Sequence, residues 1–264
     1  MVASVPVKKR SLGPDGGWRA NRPRSASPSF CQIFYCTYLY ISLELYINMH
    51  ALSKSLFAVI VADVVGSGRT RDVRHLLAAR LRATTTTHLK EKRIRLPYAV
   101  TAGDEFQTVA GDLGQIPWLL FDLRRRLQPL ELRIGVGIGA IPGRLRPPVN
   151  QLSGPAFEYA RTAIEEAKES RSPSGKATRF RSQNAEFDLL ANLIYRLHDA
   201  LVGRLSKKQG RTVDAYLRKG RVDLAGRALR IAASTASRNL SRSHIWESLE
   251  TIEGMQKLIA TSFL

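Results

Sequence analysis

The sequence predicts an α+β fold in which a ferredoxin-like domain, with an antiparallel sheet and helices on one face, is followed by an all-α helix-turn-helix domain. Three observations favour this class. Short apolar runs alternate with amphipathic helical patterns over about residues 51–182, in the order strand-helix-hairpin-helix-strand. Only helical patterns follow, over residues 183–264. Residues 207–242 hold ten basic side chains against two acidic ones, a net charge of +8 in one short stretch.

The chain of 264 residues is strongly basic overall, which favours polyanionic partners. It has 41 Lys and Arg against 22 Asp and Glu, a formal net charge of +19. The two cysteines, Cys31 and Cys36, fit no zinc or redox spacing, so a reduced, cytoplasmic setting is expected.

Residues 1–48 differ from the rest and are left out of both predicted domains. Residues 1–29 are rich in Ser, Pro, Gly and Arg, which predicts disorder. Residues 30–47 are aromatic and apolar, but Glu44 and other polar residues interrupt them, so they make a poor membrane span. Three interpretations stay open: a membrane anchor, a genuine flexible extension, or a start assigned too early, with Met49 beginning the protein.

The first strand is predicted from about Leu56 to Ala62 because the run is apolar and β-branched. A basic amphipathic helix is expected from Arg71 to Leu89, weakened near its end by the run Thr84 to Thr87. A hairpin is expected next, with strands at 96–100 and 106–110 joined by a tight Gly-Asp turn.

A helix beginning near Pro117 and a strand from Leu132 to Ile141 complete this order. Glycines alternate along that strand at Gly135, Gly137 and Gly139, which leaves one face bare. Either a ligand or another element approaches this face, or the glycines mark a bulge or tight packing against the next helix, expected over residues 154–170.

Two carboxylates lie at the ends of predicted strands. Asp63 follows the first strand, and Asp104 lies in the hairpin turn. Two such carboxylates on adjacent strands can hold Mg²⁺ against nucleotide phosphates. Gly66 and Gly103 would let a bulky anion approach the main chain. The alternatives are structural: Asp63 accepts hydrogen bonds from its own turn, and Asp104 tolerates positive φ in the hairpin.

The C-terminal half is predicted to be helical throughout. The predicted helices span 184–205, 207–218, 223–229, 234–242 and 245–259. Gly226, Leu229 and Ile231, followed by Ser234 to Leu240, resemble the helix-turn-helix of many bacterial regulators.

One face of the predicted second helix of this motif carries short hydroxyls and arginines, which suit base edges and phosphates. The predicted DNA-binding residues are Ser234, Thr235, Ser237, Arg238, Ser241 and Arg242. Ala232 stands where such motifs often have a capping Ser, so Ser234 is expected to cap the helix. The alternative is an ordinary helical bundle with a solvated basic face.

Four blocks of the chain, in order, resemble class III nucleotide cyclases over about residues 57–182. They are the stretches 63–67 (DVVGS), 103–106 (GDEF), 132–139 (LRIGVGIG) and 154–161 (GPAFEYAR). A nucleotide-cyclase-like domain followed by a C-terminal helix-turn-helix is the order in which the whole chain resembles the bacterial SatD family.

The cyclase resemblance implies a metal site at Asp63 and Asp104, with Gly66 and Ser67 donating to a triphosphate and Arg161 neutralising its charge. Glu105 would add a ligand or point to solvent. The chain departs from the cyclase pattern at Phe157 and Glu158, where cyclases place an Asn that orients the ribose. The resemblance also implies a homodimer formed through the face that holds the site.

Two functions are consistent with these features. The first is a cytoplasmic DNA-binding transcriptional regulator whose cyclase-like domain senses a nucleotide, with Mg²⁺, or provides a dimer interface. The second is a metal-dependent nucleotidyl cyclase or nucleotidyltransferase regulated by its C-terminal helices. A third possibility is that the cyclase-like domain is an inactive scaffold, and the sequence does not decide whether the protein is an enzyme.

Overall fold

The computed structural model describes residues 56–66, 71–170, 175, 177–202 and 205–263. All of them belong to one compact unit, Ile47–Leu264. The predictions for residues 1–48 and for Ser67 lie outside the described residues.

Five strands and eight α-helices are present in this part of the chain. The strands are β1 (Leu56–Val64), β2 (Ala99–Ala102), β3 (Glu105–Ala110), β4 (Leu132–Ala140) and β5 (Ala177–Arg181). The helices are α1 (Arg71–Lys90), α2 (Ile116–Leu127), α3 (Pro155–Glu169), α4 (Ala185–Val202), α5 (Lys207–Lys219), α6 (Val222–Leu229), α7 (Ala233–Arg242) and α8 (Ile245–Phe263). The α+β class is therefore confirmed.

The strands form one mixed sheet in the order β2-β3-β1-β4-β5. The neighbours from β2 to β4 are antiparallel, as expected for the strand-helix-hairpin-helix-strand order. An entirely antiparallel sheet was wrong, because β5 joins β4 in parallel after the crossover through α3. Strand β5 was not predicted, since its five residues, Ala-Thr-Arg-Phe-Arg, include only two apolar ones.

Helices cover both faces of the sheet, whereas the sequence predicted one. Along β1, Ile60 faces a core formed with α1, α2, α4 and α8. Val59 and Val61 face the opposite side, where α3 packs. The single-face prediction holds for α1 and α2 and is wrong for α3. A central strand that is apolar on both sides needs cover on both sides.

The alternating glycines of β4 are explained by close packing against α3. A Cβ atom on Gly137 would lie 2.2 Å from the carbonyl oxygen of Ala156 and the amide nitrogen of Ala160. A Cβ atom on Gly135 would lie 2.4 Å from the amide nitrogen of Ile164. The main chains of strand and helix therefore approach too closely for side chains, and the bare face holds a helix.

Helix α1 continues through its threonine run to Lys90. The hydroxyls of Thr84, Thr86 and Thr87 each donate to the carbonyl oxygen four residues earlier. These hydrogen bonds satisfy the side chains within the helix, so the expected weakening does not end it.

The C-terminal helices are joined to the sheet core at two places. Phe187 of α4 and Met255 of α8 are buried in the same core as Ile60. Phe121 of α2 packs in a separate cluster with Val213, Leu240, Ile245 and Ile252. The boundary at 182/183 stays a prediction, and contacts across it are extensive.

Candidate functional sites

The first candidate site lies where β1 ends beside the β2-β3 turn. Asp104 accepts a hydrogen bond from the main-chain N–H of Val64 (3.2 Å), which holds the turn against the end of β1. The Asp63 carboxyl lies close enough to that of Asp104 for the two groups to interact electrostatically. The two carboxylates predicted from sequence are therefore brought together.

The environment of Asp63 disfavours its charged form. Burial raises the pKa of Asp63 above its usual range, and the neighbouring Asp104 carboxylate raises it further. Arg133 opposes this shift by donating from Nη1 to Oδ2 of Asp63 (3.0 Å). Sequence reasoning missed Arg133, which lies directly opposite Asp63 in the β1-β4 register.

Glu105 does not point to solvent and is held by two cations from α3. It is 8% exposed. Nη1 of Arg161 lies 3.1 Å from both carboxylate oxygens of Glu105, and Nζ of Lys168 lies 3.4 Å from Oε2. Thr101 also donates its hydroxyl to Glu105 (3.1 Å). Arg161, expected to neutralise a bound phosphate, is thus paired with a carboxylate, although its side chain is 59% exposed.

Glycines occupy the turns on both sides of the carboxylate pair. Gly66 has φ of 71° and Gly103 has φ of 62°, and a Cβ atom on either would meet no atom within 4 Å. Positive φ in the hairpin therefore belongs to Gly103, and the alternative that Asp104 adopts it is wrong. Open space beside both turns is compatible with the approach of a ligand.

Oxygen donors from two carboxylates suit Mg²⁺, which usually takes one or two carboxylates and completes its shell with water and phosphate oxygens. In the part of the chain that the structure describes, no group of three or more His, Cys, Asp and Glu residues is placed to hold a metal ion. Asp63 and Asp104 would therefore hold a metal together with a phosphate ligand, and Arg133 would compete with it for Asp63.

The second candidate site is the pair of helices α6 and α7. Gly226 lies where they cross: a Cβ atom there would be 3.0 Å from the carbonyl oxygen of Ile231. Ala236 and Leu240 are buried against the neighbouring helices. The opposite face of α7 is exposed, with Thr235 half-buried at its edge; the exposed residues are Ser234, Ser237, Arg238, Ser241 and Arg242.

The capping prediction for α7 was wrong. The helix begins at Ala233 with Ala232 at the N-cap and no capping side chain, and Ser234 lies inside the first turn. The turn before it depends on Arg230, which ends α6 in the left-handed conformation with φ of 55°. Glycine is the residue that adopts this conformation without strain.

Basic side chains surround this helix pair. All ten basic residues of the stretch 207–242 are exposed. The two acidic residues are each engaged in ion pairs, Asp223 with Arg221 (3.0 Å) and Asp214 with Arg125 of α2 (2.6 Å). The exposed surface of α5, α6 and α7 is therefore strongly positive.

The Arg125–Asp214 pair connects α5 to a buried network in α2. Arg125 also pairs with Asp122, and Nε2 of the buried His88 lies 2.9 Å from Oδ2 of Asp122. Burial opposes ionisation, but hydrogen bonds from His88, Arg126 and Arg125 hold the pKa of Asp122 well below its usual range. Asp122 is thus a fixed negative charge between the sheet and the C-terminal helices.

Comparison with known proteins identifies the family of this α+β chain. The SatD family model matches residues 57–245, and the chain belongs to the SatD family. No curated protein is significantly similar to it.

Several solved structures are distantly similar, including the following two. A bacterial light-regulated adenylyl cyclase matches with 14% identity and a TM-score of 0.33, over 47% of this chain and 76% of that one. A regulator of polyketide synthase expression from Bifidobacterium adolescentis matches with 13% identity and a TM-score of 0.27, over 80% and 89%. At these TM-scores neither likeness bears on the fold or function of this chain.

Among the described helices, none has the length and apolar character needed to span a bilayer.

Proposed function

We propose that this SatD-family protein is a cytoplasmic, DNA-binding transcriptional regulator, and that its sheet domain binds a nucleotide together with Mg²⁺. The observation that carries the proposal is the exposed face of α7. Hydroxyls and arginines project from a helix whose other face, at Ala236 and Leu240, is buried. A helix fixed on one side and polar on the other suits insertion into the major groove.

The surrounding charge supports the same function. Basic side chains exposed on α5, α6 and the α6-α7 turn would contact phosphates and position α7, whereas base edges would be read by residues such as Ser237 and Arg238. Basic charge alone gives only salt-sensitive, unspecific binding. Specificity therefore depends on the α7 face.

Nucleotide binding at Asp63 and Asp104 is supported by the convergence of the two carboxylates and by the raised pKa of Asp63. A cation bound between them would offset their repulsion, and its role would be to neutralise phosphate oxygens. The contact between Arg125 of α2 and Asp214 of α5 would connect the nucleotide-binding part to the helices that bind DNA.

A second candidate function is a metal-dependent nucleotidyl cyclase or nucleotidyltransferase, which the same carboxylate pair favours. Two features argue against turnover. Arg161 is paired with Glu105, and Phe157 with Glu158 replace the Asn that would orient a ribose. If the protein makes a cyclic or oligonucleotide product from nucleoside triphosphates with Mg²⁺ or Mn²⁺, and Asp104→Asn stops this reaction, the protein is a nucleotidyl cyclase or nucleotidyltransferase.

Fluorescence anisotropy of the full chain tests DNA binding directly. The native duplex is the DNA upstream of its own gene, and the competitor is a scrambled duplex, both at about 150 mM salt. We expect roughly a hundredfold preference for the native duplex. Arg238→Ala should reduce that preference about fivefold to a hundredfold, since a good base contact contributes about 1–3 kcal/mol of discrimination.

Lys219→Ala is the matched control because Lys219 is exposed at the end of α5, outside the α7 face. It should weaken binding to both duplexes slightly and equally. Equal binding of the wild type to both duplexes, lost as salt increases, would contradict the proposal.

A further inference from the structure

An apolar surface lies on the outer face of α4. Four leucines there are exposed to an unusual degree: Leu189 (60%), Leu190 (40%), Leu193 (52%) and Leu197 (72%). The other face of the same helix carries Phe187, Ala191 and Tyr195, which are buried in the sheet core. Helix α4 is therefore fully docked on one side and apolar on the side that faces solvent.

The exposed leucines form one stripe along α4, which we call the leucine stripe (Leu189, Leu190, Leu193 and Leu197). Leu189, Leu193 and Leu197 are four residues apart and so lie on one line of the helix, with Leu190 beside them. Four leucines exposed to this degree present on the order of 400 Å² of apolar surface, which is near the largest patch of a typical monomer. Patches of this size are often functional, and an apolar stripe along an otherwise docked helix favours a protein interface.

We propose that the leucine stripe is the interface of a homodimer, in which the α4 helices of two copies pack antiparallel. Three of the four leucines are arranged symmetrically about Leu193, so a two-fold axis there would place Leu193 against its own copy and Leu189 against Leu197 of the second copy. An isologous interface requires this self-complementarity. About 800 Å² per copy is typical of a stable interface, so the stripe supplies about half and the flanking residues the rest.

Charge at the two ends of the stripe selects the antiparallel arrangement. Glu186 is exposed in the first turn of α4, and Arg196 is exposed near its other end. Neither has an ion-pair partner among the described residues. With the axis at Leu193, antiparallel packing places Glu186 of each copy within about one helical turn (~6 Å along the axis) of Arg196 of the other, so that opposite charges approach each other twice per dimer. A parallel pair would set like charges against each other.

This interface is independent of the DNA-binding proposal and differs from the dimer that the cyclase resemblance implies. That dimer would form through the face of the sheet that holds Asp63 and Asp104, whereas α4 packs in the core on the opposite face. Residues 30–47, which are also apolar, are an alternative occupant of the leucine stripe. Exchanging the charges of Glu186 and Arg196 distinguishes this alternative from a second copy of the chain.

Sedimentation equilibrium of the full chain tests the proposal. We expect a dimer at micromolar concentrations, and Leu193→Glu should raise the dissociation constant at least a hundredfold by placing two carboxylates on the symmetry axis. Leu89→Glu, at an exposed leucine near the end of α1, is the matched control and should leave dimerisation unchanged. Circular dichroism melts check that each variant is folded.

A charge exchange identifies the occupant. Glu186→Arg alone or Arg196→Glu alone should weaken the dimer about tenfold, and the two changes together should restore it. Only two copies packed antiparallel predict this restoration. A monomeric wild type, a dimer unaffected by Leu193→Glu, or a double variant no better than the single ones would each overturn the proposal.

Discussion

Asp104 accepts a hydrogen bond from the main-chain N–H of Val64 (3.2 Å), so the hairpin turn is attached directly to the residue after Asp63. This contact explains why the two carboxylates remain adjacent although burial, and then the charge of Asp104, raise the pKa of Asp63. Burying like charges next to each other is costly, and carboxylates with pKa values perturbed in this way cluster at functional sites. The arrangement therefore favours a function for the pair, and a cation with a phosphate ligand is the simplest one.

Asp104→Asn should abolish nucleotide binding without destabilising the fold. The Asn carbonyl can still accept from Val64, and removal of a like charge relieves Asp63. Without ligand the melting temperature should stay equal or rise. Mg²⁺ with a nucleoside triphosphate should raise the melting temperature of the wild type and leave that of Asp104→Asn unchanged.

Asp72→Asn is the control for this experiment because Asp72 is an exposed carboxylate on α1. It should retain the full ligand-induced shift. An equal shift in the wild type and Asp104→Asn would show that the carboxylate pair does not hold the metal. No shift in any variant would indicate an inactive scaffold.

Gly137→Ala should destabilise the protein strongly, since its Cβ would lie 2.2 Å from main-chain atoms of α3 that cannot move independently. We expect a loss of about 3 kcal/mol in the free energy of unfolding, measured by urea titration. Gly254→Ala, in α8 with no atom within 4 Å of the added Cβ, should instead be neutral or stabilise by up to about 1 kcal/mol. Equal stability of the two variants would contradict the close packing of β4 against α3.

His198 should make the protein sensitive to acid. Burial lowers the pKa of His198 to about 4, with Asp199 and Arg124 acting in opposite directions. Since the pKa in the unfolded chain is near 6.5, the unfolded state binds the proton more readily between these values. The free energy of unfolding is therefore at its full value above pH 6.5 and decreases as the pH falls towards 4. His198 accounts for a decrease of about 3 kcal/mol.

His198→Phe should remove this part of the pH dependence. Neither ring nitrogen of His198 has a hydrogen-bond partner among the described residues, so a phenyl ring sacrifices no polar contact. Urea unfolding at pH 7 and pH 4.5 measures the difference. His75→Gln, at an exposed site on α1, should show the same loss of unfolding free energy between pH 7 and pH 4.5 as the wild type. If His198→Phe also shows the full wild-type loss, another group is responsible for it.

Arg230→Gly should stabilise the C-terminal helices because Arg230 has φ of 55°. Relief of the left-handed conformation contributes about 1 kcal/mol, which corresponds to roughly 2–4 °C in melting temperature. Arg227→Gly, within α6, should lower the melting temperature since glycine disfavours helix. Both variants lose one exposed positive charge, and Arg227→Gly also removes an exposed ion pair with Asp223 (3.8 Å), so a difference of more than about 1 kcal/mol between them reports the backbone effect.

Local patterns predicted most of the elements and the two carboxylates. The apolar run before Asp63 and the tight turn at Asp104 are signals contained within a few residues, and the antiparallel hairpin brings such turns to the end of the central strand. Residues whose role depends on distant pairing were missed. Arg133 meets Asp63 only through the β1-β4 register, and Glu105 meets Arg161 only because α3 covers that face.

The sequence also could not separate the two faces of α4. Phe187 and Leu193 belong to one helical pattern of apolar residues, but Phe187 is buried and Leu193 is 52% exposed. Periodicity identifies an apolar helix and does not say which neighbours cover it. Strand β5 was missed for the opposite reason, since Arg179 and Arg181 make an edge strand resemble a loop.

Sequencing of the genomic DNA fragments retained by the full chain at about 150 mM salt tests the central claim most directly, because the same experiment identifies the operator. We predict enrichment of a few fragments that share a two-fold symmetric motif, and loss of that enrichment with Arg238→Ala. Uniform recovery of all fragments, or an enrichment that Arg238→Ala leaves intact, would contradict sequence-specific recognition by α7.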